Sequence, residues 1–229
     1  MTPIGSLFTF AFALCCAGGA YGDYNDYTIE SIRDRPRLRG TVILEPTVER
    51  HTLEAMKRDG IVGVRLPYVS MTTLPDLGSF EQRRTLRRIA DLDWHVHLHL
   101  DGPRIPQILP TLENAGVKIV IDHFGRPDPA LGVNCEGFKM VMRSVEKGRT
   151  WVKVSAAYRL GAAQAEQYGR ELLKQVGPDR LLWASDCPFA GFETKVTYRE
   201  TIDAVLAWVP EGPVRHKIFG DNAMKLYFS

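Results

Sequence analysis

Two short motifs hold the residues best able to do chemistry. Asp122-His123-Phe124-Gly125-Arg126-Pro127-Asp128 follows an apolar run and sets an imidazole and a guanidinium on one loop, which its Gly and Pro make short and rigid. Trp183-Ala184-Ser185-Asp186-Cys187-Pro188 ends another apolar run on a carboxylate, with a proline that stops the strand. A carboxylate and an imidazole at one opening can activate water. Asp186 would take the proton as water attacks a carbonyl, and His123 would hydrogen-bond to that carbonyl or polarise it. The oxyanion then needs preorganised donors, for which Arg65, Arg126 and Arg159 are the candidates. Arginine also grips carboxylates at two points, so these residues point to a small anionic substrate such as a carboxylated lactone. A metal is the competing chemistry. His97 or His99, with His123 and Asp186, would make the three-ligand set with an open position that catalytic zinc uses.

These groups lie far apart in sequence, so the fold must bring several chain segments to one mouth. Short apolar runs alternate with amphipathic stretches, the pattern of parallel βα units. The expected strands are Leu7–Cys15, Gly40–Leu44, Val62–Leu66, Trp94–Leu100, Lys118–Ile121, Trp151–Ser155 and Leu181–Ser185. The expected helices are Thr52–Asp59, Phe80–Leu92, Ile105–Ala115, Gly137–Lys147, Ala162–Val176 and Tyr198–Val209. A closed (β/α)₈ barrel has about eight strands and 250 residues. Seven strands in 229 residues suit a distorted TIM-barrel-like α/β fold short of one strand, or a doubly wound open sheet. The chemistry favours the barrel, where active residues sit at strand C-termini. Strand periodicity sets the directions. Val96, Leu98 and Leu100 share the helix-packed face, and His95, His97, His99 and Asp101 face the axis. Val152 and Val154 point outward, Lys153 and Ser155 inward.

Each candidate also has a plainer reading. His95 lies deepest and reads as structural. His97 and His99 read equally as site residues or as hydrogen-bonded core. Arg65 can pair with a neighbouring carboxylate, and Asp122 can cap the following loop. Glu45 ends a strand without distinction, and Asp91 and Asp93 read as turn or surface residues. His123 and Asp186 read most strongly as functional.

Composition limits the remaining possibilities. Lys plus Arg is 29 and Asp plus Glu 27, a net charge of +2, which points to neither nucleic acid nor an anionic membrane as partner. Hydrophobic residues make up 45%, enough for a sizeable core. Cys15, Cys16, Cys135 and Cys187 match neither a zinc ribbon nor a disulfide framework, and read as reduced thiols of a cytoplasmic protein. Leu7 to Ala17 is apolar and precedes small residues, as a signal peptide would be. No Lys or Arg precedes it, and it is too short for a span of about 20 residues, so a buried strand is the preferred reading. No linker or repeat divides residues 1–229, which read as one domain with an atypical segment at 1–19.

The motifs together resemble the amidohydrolase-related family, in its branch of 2-pyrone-4,6-dicarboxylate and sugar-acid lactonases. The resemblance rests on Tyr21-Gly22-Asp23-Tyr24-Asn25, Gly63-Val64-Arg65-Leu66, His97-Leu98-His99-Leu100-Asp101, the His123 and Asp186 motifs, Trp151-Val152-Lys153-Val154-Ser155 and Asp221-Asn222-Ala223 with Leu226-Tyr227. It implies a distorted (β/α)₈ barrel that hydrolyses a lactone, with Asp186 as general base and His123 and Arg126 on the substrate loop. It implies further substrate contacts from Arg65, Tyr158 and Arg159, and no metal cofactor, although related decarboxylases and hydrolases use zinc or another divalent ion. The family's opening Asp-x-His-x-His strand has no counterpart here. Leu7–Cys15 then matches its second strand, and two unpaired strand edges are expected where the barrel would close. The alternatives are a metal-dependent decarboxylase or hydrolase of the same superfamily, and a non-catalytic relative acting as a binding subunit.

Overall fold

The computed structural model describes residues 13–16 and 22–229. Seven parallel strands form one curled sheet in chain order: β1 (Ala13–Cys16), β2 (Leu38–Val42), β3 (Ile61–Leu66), β4 (His95–Leu98), β5 (Lys118–Ile121), β6 (Thr150–Ser155) and β7 (Leu181–Ala184). The chain is thus an α/β half-barrel of the TIM type. Only the end of the expected Leu7–Cys15 strand falls among the described residues, as β1; its beginning lies outside them. Among the described residues β1 and β7 are the two ends of the sheet and do not pair with each other.

The helices are α1 (Asp26–Ile32), α2 (Arg50–Arg58), α3 (Phe80–Asp91), α4 (Leu109–Asn114), α5 (Glu136–Glu146), α6 (Ala157–Leu160), α7 (Ala162–Val176), α8 (Tyr198–Leu206), α9 (Pro213–His216) and α10 (Asn222–Tyr227). α3 shows why such stretches fold as they do. Ser79 caps its start by accepting from the Gln82 amide, and Thr85, Leu86 and Ile89 form its buried face. Burying a Leu or Ile side chain contributes about 1.5–3 kcal/mol, so two such residues hold the helix to the sheet.

The expected Ile105–Ala115 helix is in fact two pieces, a 3₁₀ turn over Gly102–Gln107 and then α4. Pro106 and Pro110 lack the amide hydrogens a continuous helix needs. β2 starts two residues before the expected strand, and β4 ends at Leu98, short of Leu100.

Side-chain alternation divides the core in two. Val96, Leu98, Ile119, Ile121, Val152 and Val154 pack outward with the helices. Val120, Trp151, Leu182, Leu226 and Tyr227 form a separate inner cluster, so the C-terminal α10 packs its last turn against the inside of the sheet. His95 belongs to this inner floor. It is 1% exposed and its ring lies 5.0 Å from that of Tyr227. Gly63 makes room for it, because a Cβ there would lie 2.4 Å from the imidazole.

A cavity of about 440 Å³ follows the open seam. Ala13 and Leu14 of β1, Leu182 to Ser185 of β7, and residues of the C-terminal turns line it. Apart from Lys153 it holds none of the charged residues of the strand-end mouth, so the chemistry lies beside the seam.

Candidate active site

The register of β3 to β6 explains why distant residues meet. Arg65 pairs with His97 across β3 and β4, and Ile121 pairs with Val152 across β5 and β6. One residue further on, Asp122 comes level with Lys153. Asp122 is 2% exposed and sits between two cations, Lys153 Nζ at 3.2 Å from Oδ1 and Arg65, which donates to Oδ2 at 3.2 Å, with His97 Nε2 at 3.6 Å from Oδ1. Burial would raise its pKa, but Lys153 foremost, with His97, His123 and Arg65, holds it well below the usual carboxylate range. Lys153 is 8% exposed. Burial works against its charge, and Asp122 and then Cys16 more than offset that, so its pKa is raised.

His97 lies one layer below the mouth and is fully buried. Its Nδ1 is 3.5 Å from Cys16 Sγ. Burial, helped by Lys153, pushes its pKa well below the ordinary value. His97 therefore touches the base of the Asp122 hub and not the open mouth. His99 is higher: Arg65 approaches its Nδ1 at 3.2 Å, and its ring lies edge-on to His123 at 4.9 Å. Burial takes its pKa down to about 3.

The mouth proper is built on His123 and Asp186. His123 opens a 3₁₀ turn, His123–Gly125, directly after β5. Its Nδ1 is 2.9 Å from Ser155 Oγ, and its Nε2 is 3.7 Å from Asp186 Oδ1. A proton on Nε2 facing the carboxylate leaves Nδ1 to accept from the Ser155 hydroxyl. Burial lowers the pKa of His123 despite Asp122 and Asp186 nearby, so the ring is neutral near pH 7.

Asp186 Oδ2 accepts from Tyr158 Oη at 2.6 Å and from Arg159 Nε at 2.8 Å. Burial would raise this carboxyl, yet His123, Tyr158 and Arg159 together hold it below its ordinary value. Arg159 also donates to the Ala190 carbonyl and lies over the rings of Tyr158 and Phe192. Arg126 donates to Asp101 at 2.7 Å on the loop that carries His123.

The backbone is strained here. His123, Phe124, Arg126, Ala156 and Asp186 all have φ between 43° and 62°, without being glycine. Each such residue costs of order 1–3 kcal/mol and tends to cluster at functional sites.

The sequence pattern of the amidohydrolase family matches residues 5–228. The chain belongs to that family. A 4-sulfomuconolactone hydrolase of Rhizobium radiobacter is 27% identical over 224 residues, covering 93% of this chain and 74% of that protein. A crystal structure of a Pseudomonas putida protein assigned as 2-pyrone-4,6-dicarboxylic acid hydrolase has a TM-score of 0.89 and 33% identity, covering 99% of this chain and 87% of the other. A zinc-bound amidohydrolase of Burkholderia multivorans, at 15% identity and TM-score 0.80 over 99% of this chain and 86% of its own, shares the fold alone. This family member is thus a hydrolase-class enzyme on the TIM-type scaffold its sequence implied.

A metal is compatible with the residue types at the mouth. His99, Asp122 and His123 offer ligand atoms within 4.8 Å of one another. Their arrangement fits an ion less well. Both Asp122 oxygens already face cations and His99 Nδ1 faces Arg65, while His99 Nε2 is buried without a hydrogen-bond partner, so a divalent ion would compete with Lys153 or Arg65 for Asp122.

Sequence reasoning undervalued Asp122, Lys153 and Ser155. The signal was present for the last two, since alternation along β6 sends both inward. Cys16 and its contact with His97 had no signal, because 81 residues separate them.

Proposed function

We propose that this protein hydrolyses a small lactone that carries carboxylate or similar anionic groups. The observation that carries this reading is the Asp186–His123 pair at the strand ends, held by Ser155, Tyr158 and Arg159. Water placed between Asp186 and the lactone carbonyl gives its proton to the carboxylate while its oxygen attacks the carbonyl carbon. His123 Nε2–H, on a neutral ring, donates to the carbonyl oxygen as charge builds there. The ring C–O bond then breaks, and the leaving oxygen takes the proton back from Asp186. Arg65, Arg126, Tyr158 and Arg159 hold the substrate's anionic groups, with His99 beside Arg65. His97 supports the hub from below. Lactones with anionic groups are what the names of the similar hydrolases describe, and that supports the substrate class. Four free cysteines support the cytoplasmic setting read from the sequence.

The test is incubation of the purified chain with 2-pyrone-4,6-dicarboxylate, followed by mass spectrometry. The expected product is one water heavier, and it forms at the same rate after dialysis against EDTA. A product lighter by carbon dioxide, or turnover lost to EDTA and restored by zinc or manganese, favours the metal-dependent reading instead. No product from any anionic lactone favours a binding role.

A further inference from the structure

The resting geometry has a consequence for how the base is used. Asp186 Oδ2 is doubly occupied by Tyr158 Oη and Arg159 Nε. The other oxygen faces His123. A carboxylate tied to a guanidinium is a weak proton acceptor, and general bases work best with a pKa near the working pH. Asp186 as it rests is therefore poorly suited to deprotonate water.

Arg159 is about one-fifth exposed, and only Nε binds Asp186; its Nη2 reaches the Ala190 carbonyl on the loop after β7. Its carrier, α6, is a single four-residue turn between two left-handed residues, Ala156 (φ 56°) and Gly161 (φ 87°). The rings of Tyr158 and Phe192 lie beside the guanidinium, 5.0 and 5.1 Å from it.

We propose that Arg159 is a substrate-displaced clamp on Asp186. An anionic group of the lactone takes the guanidinium, and Asp186 Oδ2 is freed to accept the proton of the attacking water. The proposal rests on Asp186 being the base. It makes Arg159 a positioning and specificity-determining residue: a neutral lactone can enter the mouth but leaves the clamp shut. Selectivity for anionic substrates then comes from turning the base on, in addition to tighter binding. The charged and titratable groups facing the pair are His123 from the turn after β5, Tyr158 on α6, and the exposed Glu193 on the loop after β7, whose pKa is lowered first by the Gly191 amide and least by Arg159. Glu193 is held by the Gly191 amide at 3.0 Å and does not bridge to Arg159.

The experiment is a pH titration of the Asp186 carboxyl by ¹³C NMR, with that signal assigned by its loss in Asp186→Asn. Citrate serves as a polycarboxylate probe that cannot be hydrolysed. Saturating citrate should raise the Asp186 midpoint by about 1 to 3 pH units, the range an adjacent arginine accounts for. In Arg159→Gln the midpoint should be raised already, with little further change on adding citrate. Arg159→Lys should fall between, and serves if the glutamine variant does not fold. With dihydrocoumarin, a neutral lactone that leaves the clamp shut, Arg159→Gln should be faster than wild type by about threefold or more through the stronger base. The clamp is overturned if citrate does not bind, if it binds without moving Asp186, or if the Arg159 variants titrate like wild type. An inactive Asp186→Asn with an unmoved midpoint sinks the clamp alone. An Asp186→Asn that still opens lactones sinks the base assignment, whatever the clamp does.

Discussion

At the residue scale, the most consequential interaction is the buried contact of Asp122 with Lys153 and Arg65. Leaving one partner of a buried ion pair uncompensated typically costs about 3–5 kcal/mol. Lys153→Met should therefore lower unfolding stability by about that amount, read as a fall in the urea midpoint. Lys153→Met together with Asp122→Asn should recover part of the loss. A single variant as stable as wild type would mean that Arg65 alone neutralises Asp122. This hub was only half legible in the sequence. The alternation Lys153-Val154-Ser155 gave the inward direction, but Asp122 alone reads as a loop cap. Only the pairing of Ile121 with Val152 brings it level with Lys153. His123 and Asp186 were legible because each follows a short apolar run and precedes a turn-forming proline, a local pattern that needs no tertiary information.

At the element scale, the sheet was read more faithfully than the connections. Runs such as Lys118–Ile121 are short, apolar and bounded by turn residues, and the strand there has the same ends as expected. α1 went unread because Asp26–Ile32 is too short to show helical periodicity, and only Ile29 and Ile32 are buried. Ile105–Ala115 carried the apolar spacing of a helix, but its two prolines decided the backbone. Close packing between elements is the other thing sequence hides. Nothing around Gly63 announces that β3 gives way to an imidazole on β4. Gly63→Ala should force His95 out of place and cost about 1–3 kcal/mol, as overpacking does, seen as a lower melting temperature. An unchanged melting temperature would mean that the His95 ring has room to move.

At the scale of the whole molecule, three buried histidines and the half-buried His99 make the fold sensitive to acid. His95, His97, His99 and His123 all have lowered pKa values, with burial the first cause and His95 and His99 down to about 3. Below pH 6.5 the unfolded chain takes up protons that the folded chain refuses. Stability is therefore fully present above that pH and falls as pH drops from 6.5 toward 3. His95 and His99 each contribute a slope of up to about 1.4 kcal/mol per pH unit within that window, and His97 and His123 act in the same direction. The urea midpoint should drop steeply between pH 7 and pH 5.5; an equal midpoint at both would contradict the burial of neutral rings. The open seam acts at the same scale. Among the described residues β1 and β7 do not pair with each other beside the cavity, so the described strands are without the mutual closure that gives a barrel part of its rigidity. The four histidines lie on the side of the sheet that is fully paired, at β4 and the end of β5, where position is best held.

On the proposed reading, Asp186 moves the proton in lactone hydrolysis. The most direct test compares wild type and Asp186→Asn opening 2-pyrone-4,6-dicarboxylate, with far-ultraviolet circular dichroism to show that both are folded. Losing a general base should cost about 10²- to 10⁴-fold in turnover, with the fold intact. A folded variant that opens the lactone at the wild-type rate would contradict the account and move the chemistry to another group at the mouth.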